Sequence, residues 1–269
     1  LVIVLLAFVQ AEIPIFNLDK GSAENLRITG PFVAVWMLLF SLPLFLLTPT
    51  TQGYENRIKT AVKEGLISLR QTIQQLRKYR SIIWFLAARM FYTDGLNTLF
   101  AFGGIYAAGT FGFSFQDLII FGISINLMAG IGAIIFSWID DWLGPKTVIL
   151  IGIGGLVLFG GALLVVESQA LFWIFGLPLG IFVGPVQSAS RSLMAYMAPA
   201  PMRMKFFGLY ALSGKATAFL APAFLAWATT VFNSQRAGMV IVIVFLLVGM
   251  SLMIKVNPLN YCIPPSPKP

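Results

Sequence analysis

The sequence predicts an all-α integral membrane protein, and two features of its composition carry that prediction. Of its 269 residues, 58% are hydrophobic and only 10% are charged, whereas a soluble domain carries about 25% charged residues. The apolar runs are continuous over about 20 residues, which is the length of a membrane-spanning helix. Strands of a membrane β-barrel would alternate apolar and polar residues instead. We therefore expect a helical bundle.

The beginning of the chain predicts one partial and one complete membrane helix. Residues 1–16 have the pattern of a helix end, because the apolar run that already includes Leu1 stops near Pro14. We therefore expect the chain to begin partway through a helix. A second apolar run at about 28–47 is long enough to be a complete span.

The polar segment 48–81 predicts a basic amphipathic helix. Apolar residues recur there at steps of three and four, the spacing of one helix face; they are Ile58, Val62, Leu66, Leu69, Ile73 and Leu76. The other face carries Arg57, Lys59, Lys63, Arg70, Arg77 and Lys78. Such a helix either lies on an anionic membrane surface or docks under the bundle. A calmodulin-like target helix is the sharper alternative.

Six further spans follow at short intervals, and short connections favour antiparallel neighbours. We expect these spans at about 82–108, 116–139, 147–166, 170–198, 206–231 and 236–255. The predicted organisation is an N-terminal region at 1–47, a linker at 48–81, a six-helix unit at 82–257 and a tail at 258–269.

The distribution of Lys and Arg predicts the orientation. If segment 48–81 is cytoplasmic, thirteen basic residues lie on that side and three on the other, and cytoplasmic loops carry such an excess. The linker and the tail are therefore expected to be cytoplasmic. The net charge of +8 then reflects membrane topology, and no nucleic-acid partner is expected.

The absence of reactive residue types argues against an enzyme. The chain has no histidine and a single cysteine, Cys262, so catalysis or metal binding that needs these residues is excluded. An intramembrane enzyme would need paired acids or a nucleophile with its base at one depth. We expect no catalytic residue, no metal and no cofactor.

Two charged residues lie deep in the predicted spans, where a charge costs roughly 2.5–3.5 kcal/mol on insertion scales. Asp94 lies about 18 Å into the first of the six spans and Lys215 about 13 Å into the fifth, at 1.5 Å per residue. Since both spans enter from the same side, we expect an Asp94–Lys215 pair at the wall of a transport pathway. A purely structural ion pair is the alternative.

Other polar residues extend this candidate pathway. Asn97 and Gln187 are expected to contact the uncharged part of a substrate, and Tyr92 is placed beside them. Arg89 lies only seven residues into its span, so we expect it to extend toward the cytoplasmic face. Arg191 is interpreted as an inner-gate or anchoring charge.

Glycine positions predict how the spans pack and where they break. Gly176, Gly180 and Gly184 form a small-xxx-small face, which lets two helices approach closely. Asp94-Gly95 and Gly184-Pro185 are expected to interrupt the first and fourth spans. Interruptions at matched positions of two repeats indicate a binding site near the bilayer midplane.

A short loop carries the spacing Ser137-x-x-x-Asp141-x-x-Gly144-x-Lys146. Such residues can make charge and helix-end contacts across an inner gate that break when the bundle rocks; an ordinary polar turn is the alternative. The pattern resembles the second copy of the conserved loop motif of the major facilitator superfamily. Asp141, Gly144 and Lys146 match that motif, whereas Ser137, Trp142 and Pro145 depart from it.

Longer stretches resemble the vacuole-effluxer branch of that superfamily, which includes fungal autophagy-related amino-acid effluxers. They are residues 91–98, 184–192, 206–210 and 214–216, and the resemblance extends over nearly the whole chain. Departures from the branch are Tyr196, where a basic residue is common, and Lys205, where an acidic residue often stands.

The resemblance implies a major-facilitator-type bundle in which the six spans are helices 7–12. Residues 1–47 would be the end of helix 5 and helix 6, and helices 1–4 of the same protein would be partners outside this sequence. It also implies a secondary active transporter of small solutes, such as amino acids, with proton coupling through Asp94 as a hypothesis. The implied membrane is the bacterial cell membrane or the vacuole. A non-transporting regulatory or scaffold protein of the same fold is the alternative, and a channel is a weaker one.

Overall fold

The computed structural model describes residues 24–48 and 58–257. The expected partial helix at 1–16 and the expected tail 258–269 lie outside the described residues. Every regular element in the described ranges is a helix, which confirms the all-α class.

The chain divides into two compact units, residues 1–63 and 64–269. In the first unit, α1 (Glu24–Arg27) precedes α2 (Thr29–Leu47), which corresponds to the span expected at 28–47. The large apolar side chains of α2 are exposed within its own unit. A further helix, α3 (Ile58–Leu76), begins in the first unit and ends in the second.

The second unit contains the predicted spans, with bounds close to those expected. Its helices are α4 (Arg80–Phe111), α5 (Phe115–Leu143), α6 (Pro145–Val165), α7 (Gln169–Met197), α8 (Arg203–Ala216), α9 (Leu220–Phe232) and α10 (Gln235–Ile254). A 3₁₀ turn at Ala200–Met202 leads into α8.

Six segments among the described residues are long and apolar enough to cross a membrane: α2, α5, α6, α7, α10, and the segment from Ala200 to Phe232 that contains α8 and α9. The predicted span at 82–108 is a single 32-residue helix, α4, but it is not among these six. Its middle is more polar because it carries Arg89, Asp94 and Asn97.

Helix ends are fixed by local sequence. Ser114 and Asp117 form a capping box at the start of α5, in which the Ser114 side chain accepts from Asp117 N at 3.2 Å and Ser114 N donates to Asp117 Oδ2 at 3.0 Å. Gly144 joins α5 to α6 with a φ of 77°, in the region where a side chain is strained and glycine is not.

The core forms where α10 packs against α4, α6 and α9, and where α7 packs against α5 and α6. The glycine face of α7 makes the second arrangement possible. A Cβ on Gly180 would lie 2.5 Å from Ile125 O of α5, and one on Gly184 would meet the Ala129 carbonyl. The close helix approach predicted from the glycine spacing is therefore confirmed.

The predicted helix interruptions are wrong, and the break lies elsewhere. Both α4 and α7 are continuous through Asp94-Gly95 and Gly184-Pro185. Gly95 serves packing instead, because a Cβ there would lie 3.3 Å from Phe245 Cβ of α10. The fifth span, expected to be continuous, is interrupted at residues 217–219. Pro222 accounts for this break, since a proline lacks the amide proton and excludes the preceding helical turn.

The described part of α3 docks on the core with a face slightly different from the predicted one. Leu69 and Leu76 pack against the core and Thr72 is buried between them in sequence, whereas Ile73 is 49% exposed. The positions that face the core are therefore 69, 72 and 76, and Ile73 lies beside this face. For this part of the helix, docking on the bundle is observed.

Candidate functional site

A polar cavity of about 370 Å³ lies between α4, α7 and α8. It contains four of the five residues predicted for the pathway: Tyr92, Asn97, Gln187 and Lys215. Each helix contributes positions that share one face, since the α4 residues at 89, 92, 93, 96 and 97 follow the helical period. Residues distant in the sequence thus converge on one space.

Tyr92 is held in the cavity wall by a buried hydrogen-bond chain. Its hydroxyl lies 2.7 Å from Ser190 Oγ, and Ser190 Oγ donates to the Val186 carbonyl within α7. Because the single Ser190 proton is used in that bond, Tyr92 is the donor to Ser190. The chain fixes α4 against α7 beside the cavity.

Arg89, expected to extend toward the cytoplasmic face, also lines the cavity. Its Nη1 donates to Tyr210 O at 2.6 Å and to Ser213 Oγ at 3.0 Å, and its Cζ lies 3.6 Å from the centre of the Tyr210 ring. Gly214 makes room for this contact, since a Cβ there would lie 2.5 Å from Nη1. A cation–π contact and two acceptors hold the guanidinium inward.

The charges of this cavity have one sign. Arg89, Arg191 and Lys215 line it, and no acidic side chain does. Arg191 was assigned to the inner gate, but it lies in the cavity wall with Gln187 and Ser190 of the same helix. The cavity is therefore electropositive within the described part of the chain.

Asp94 does not meet Lys215, which corrects the predicted ion pair. Its Oδ2 accepts a hydrogen bond from Ala221 N at 2.9 Å. Its Oδ1 is buried and has no hydrogen-bond partner among the described residues. Asp94 follows Thr93 by one residue, which rotates it about 100° away from the cavity-facing side of α4. Its partner lies in α9, beyond the break that follows Lys215.

The break in the fifth span is where Asp94 is bound. The first amide groups of a helix have no acceptor within that helix, and Ala221 is the second residue of α9. Asp94 supplies the missing acceptor from another helix. Thr217, at the end of α8, donates from Oγ1 to Met90 O at 3.3 Å, so α4 contacts both sides of the break.

The loop motif provides a helix-end contact. Lys146 Nζ donates to Ile254 O at 3.0 Å, at the carboxyl end of α10, where a cation is favourable. Asp141 is exposed. The neighbouring Asp140, which the sequence reasoning passed over, is partly buried, and its Oδ1 lacks a hydrogen-bond partner among the described residues.

Some contacts of the site were not predicted. Ser190 and Arg89 make contacts between helices, and Pro222 determines the break. Ser190 could have been found because it shares a helical face with Gln187, and Arg89 because of its spacing from Tyr92. The signal for the break was a proline inside a predicted span. Within residues 24–48 and 58–257 there is no group of three or more His, Cys, Asp or Glu that could hold a metal ion.

Comparison with known proteins assigns the chain to a family. A family model described as "Vacuole effluxer Atg22 like" matches residues 2–259. The chain belongs to this family. The resemblance stated from residues 91–98 and 184–192 is thereby confirmed.

Relatives of this Atg22-like chain include both bacterial and fungal proteins. It is 25% identical over 251 residues to the uncharacterized MFS-type transporter YxiO of Bacillus subtilis, covering 93% of this chain and 57% of YxiO. It is 25% identical over 257 residues to Autophagy-related protein 22 of Cryptococcus neoformans, covering 87% of this chain and 46% of that protein. For the Schizosaccharomyces pombe protein the identity is 22% over 252 residues, covering 88% and 48%. The chain thus spans about half the length of these relatives.

These names are those of effluxers and transporters, in agreement with the expectation that the Atg22-like chain is not an enzyme. The term MFS in the bacterial name also agrees with the major-facilitator-type bundle expected from the sequence.

Proposed function

We propose that the complete protein is a secondary active transporter of small solutes that works by alternating access. The observation that carries the proposal is the convergence of Tyr92, Asn97, Gln187 and Lys215 on one cavity inside an otherwise apolar bundle. Polar side chains at membrane depth are costly and commonly mark a substrate path. A cavity with a few convergent polar groups is the usual form of a small-molecule site.

Amino acids moved out of a compartment are the proposed cargo and direction. The family description "Vacuole effluxer" supports export, and the resemblance to autophagy-related amino-acid effluxers supports the substrate class. The proposed membrane is the cell membrane in a bacterium or the vacuole in a eukaryote. The excess of Lys and Arg supports a cytoplasmic linker at 48–81.

Proton coupling through Asp94 belongs to the same proposal, but its site is the break in the fifth span and not the cavity. Asp94 Oδ1 has no hydrogen-bond partner among the described residues, so a proton can bind there without displacing a donor. The bond from Ala221 N to Oδ2 weakens when the carboxylate loses its charge, because hydrogen bonds to ionised acceptors are stronger. Protonation would thereby act on the junction of α8 and α9.

Transport and its coupling are tested with the complete protein in proteoliposomes. Uptake of radiolabelled amino acids should saturate and should accelerate when a proton gradient is imposed. Asp94→Asn keeps an oxygen that can accept from Ala221 N but removes the charge, so it should lose proton-driven uptake and retain substrate exchange. Proton-driven uptake that is unchanged in Asp94→Asn contradicts the coupling proposal.

A regulatory or scaffold protein of the same fold is the second candidate. The observation that favours it is the altered loop motif, in which Ser137, Trp142 and Pro145 replace the usual residues and Asp141 is exposed. Absence of saturable flux for every amino acid, for succinate and for inorganic phosphate, in vesicles where the protein is folded, would favour this candidate and reject transport.

A further inference from the structure

We infer that the cavity between α4, α7 and α8 selects solutes with net negative charge, through a carboxylate or phosphate group held by Arg89, Arg191 and Lys215. This inference rests on the proposed function and names the substrate class of the same site. It goes beyond transport of amino acids in general, because it predicts discrimination among solutes by charge.

The first support is the preparation of Arg89 for an anion. A guanidinium has five N–H donors, and Arg89 uses Nη1 for Tyr210 O and Ser213 Oγ. Its Nε and Nη2 donate no hydrogen bond to another described residue. The contact with the Tyr210 ring holds the group in place, so it keeps donors for a ligand at little cost in side-chain entropy.

The second support is the lack of a counter-charge. Arg191 and Lys215 make no side-chain hydrogen bond and no ion pair with any described residue, and the cavity has no acidic lining residue. Asp94, the acid nearest along α4, is directed to Ala221 N instead. Three cations that converge without an anion repel one another, and an anionic ligand removes that repulsion.

The third support is the origin of these charges on three helices. Arg89 lies on α4, Arg191 on α7 and Lys215 on α8, so an anion that binds all three joins elements that rock together in alternating access. The remaining polar groups, including Asn97 and Gln187, are neutral and suit the uncharged part of a solute. A cationic solute finds no counter-charge among the described lining residues.

The charge of the cavity is measured with a cysteine at Asn97 or at Gln187, in the complete protein with its other cysteines replaced by serine. Vesicles contain phosphatidylcholine only, so that no anionic headgroup competes. The anionic reagent sulfonatoethyl methanethiosulfonate should react roughly tenfold faster than its trimethylammonium analogue, after correction for rates with a free thiol. An equal rate for the two reagents, or no reaction at either position, overturns the inference.

Two variants assign the effect to the cavity. The double change Arg191→Gln and Lys215→Gln should remove most of the preference for the anionic reagent. Lys205→Gln removes a charge from the same helix, α8, at an exposed position outside the cavity, so its preference should be unchanged. A preference that survives the double change, or is lost in Lys205→Gln, contradicts the assignment to these residues.

Solutes of matched size then test selection. L-glutamate, succinate and inorganic phosphate are compared with L-glutamine and L-lysine as protectants of the engineered cysteine. Protection by succinate or glutamate supports a carboxylate ligand, and protection by phosphate alone supports a phosphate ligand. Protection by glutamine or lysine that equals protection by the anions overturns the inference.

The two proposals fail in different ways. Protection by anions without saturable flux would reject transport and leave the anion site standing. Saturable flux of neutral or cationic amino acids, with no protection by anions, would reject the anion site and leave transport standing.

Discussion

The carboxylate of Asp94 in α4 accepts a hydrogen bond from Ala221 N at the start of α9, at 2.9 Å. This contact lies at the break in the fifth span. On the other side of the break, Thr217 Oγ1 donates a hydrogen bond to Met90 O. Helix α4 therefore holds the broken span at its break. The deep acid has a structural partner that is an amide group and not a cation.

Replacement of Asp94 separates its structural role from its charge. Asp94→Ala leaves the buried Ala221 amide without an acceptor, so we expect a loss of about 1–3 kcal/mol in the free energy of unfolding. Asp94→Asn keeps an acceptor of the same shape and should lose less. Unfolding is followed by intrinsic tryptophan fluorescence in detergent.

Asp141→Asn is the control for this pair, since Asp141 is exposed and its change should have no measurable effect. Equal stability of Asp94→Ala and the wild type would mean that the bond to Ala221 contributes nothing.

Hydrogen bonding beside the cavity gives a second prediction. Tyr92→Phe removes the hydroxyl that donates to Ser190 Oγ at 2.7 Å and keeps the ring, so it should lower the free energy of unfolding by about 1 kcal/mol. Ser190→Ala removes the acceptor of the same bond. In a double-mutant cycle the two losses should be less than additive, whereas full additivity would show that the bond does not couple the two residues.

The contact of α5 with α7 gives a third prediction. Gly180→Ala places a Cβ 2.5 Å from Ile125 O, so the helices must separate, and we expect a loss of about 1–3 kcal/mol in the free energy of unfolding. Gly130→Ala on α5 meets no atom within 4 Å and should be neutral or stabilising, by about 0.5–1 kcal/mol. A Gly180→Ala protein as stable as Gly130→Ala would contradict the observed packing.

The loop motif gives a fourth prediction. Lys146→Met removes the bond from Nζ to Ile254 O and the cation at the end of α10, so stability should fall by about 0.3–1 kcal/mol at low salt. The difference from the wild type should shrink as salt is raised, because the site is exposed and salt screens such charges. Lys205→Met, without such a contact, is the control. A salt-independent loss would point to packing of the side chain instead.

The sequence predicted the helices well, for a physical reason. Long apolar runs can only be buried in lipid or protein as helices, so the spans were found within a few residues of their observed ends. The glycine spacing of Gly176, Gly180 and Gly184 likewise reports helix approach directly. Asn97 and Gln187, which were expected to contact a substrate, line the same cavity.

The sequence predicted less well how a residue is rotated around its helix axis and which residue of another helix it contacts. Asp94 lies on a different side of α4 from the cavity and accepts from Ala221 N, beyond the break that follows Lys215, so the predicted pair does not form. The contacts of Arg89 with Tyr210 and Ser213 could not be predicted, because they depend on the position of α8. The break near Thr217 could be predicted only by giving Pro222 more weight than the apolar run around it.

The role of the cavity is tested most directly by saturable amino-acid and organic-anion uptake by the complete protein in proteoliposomes, with the cavity open or filled. Gln187→Trp fills the space between α4, α7 and α8, and Leu127→Trp adds the same side chain at a position on α5 that is 62% exposed. We expect saturable uptake in the wild type and in Leu127→Trp, and its loss in folded Gln187→Trp protein. Uptake that Gln187→Trp leaves unchanged would contradict the claim that this cavity is the substrate path.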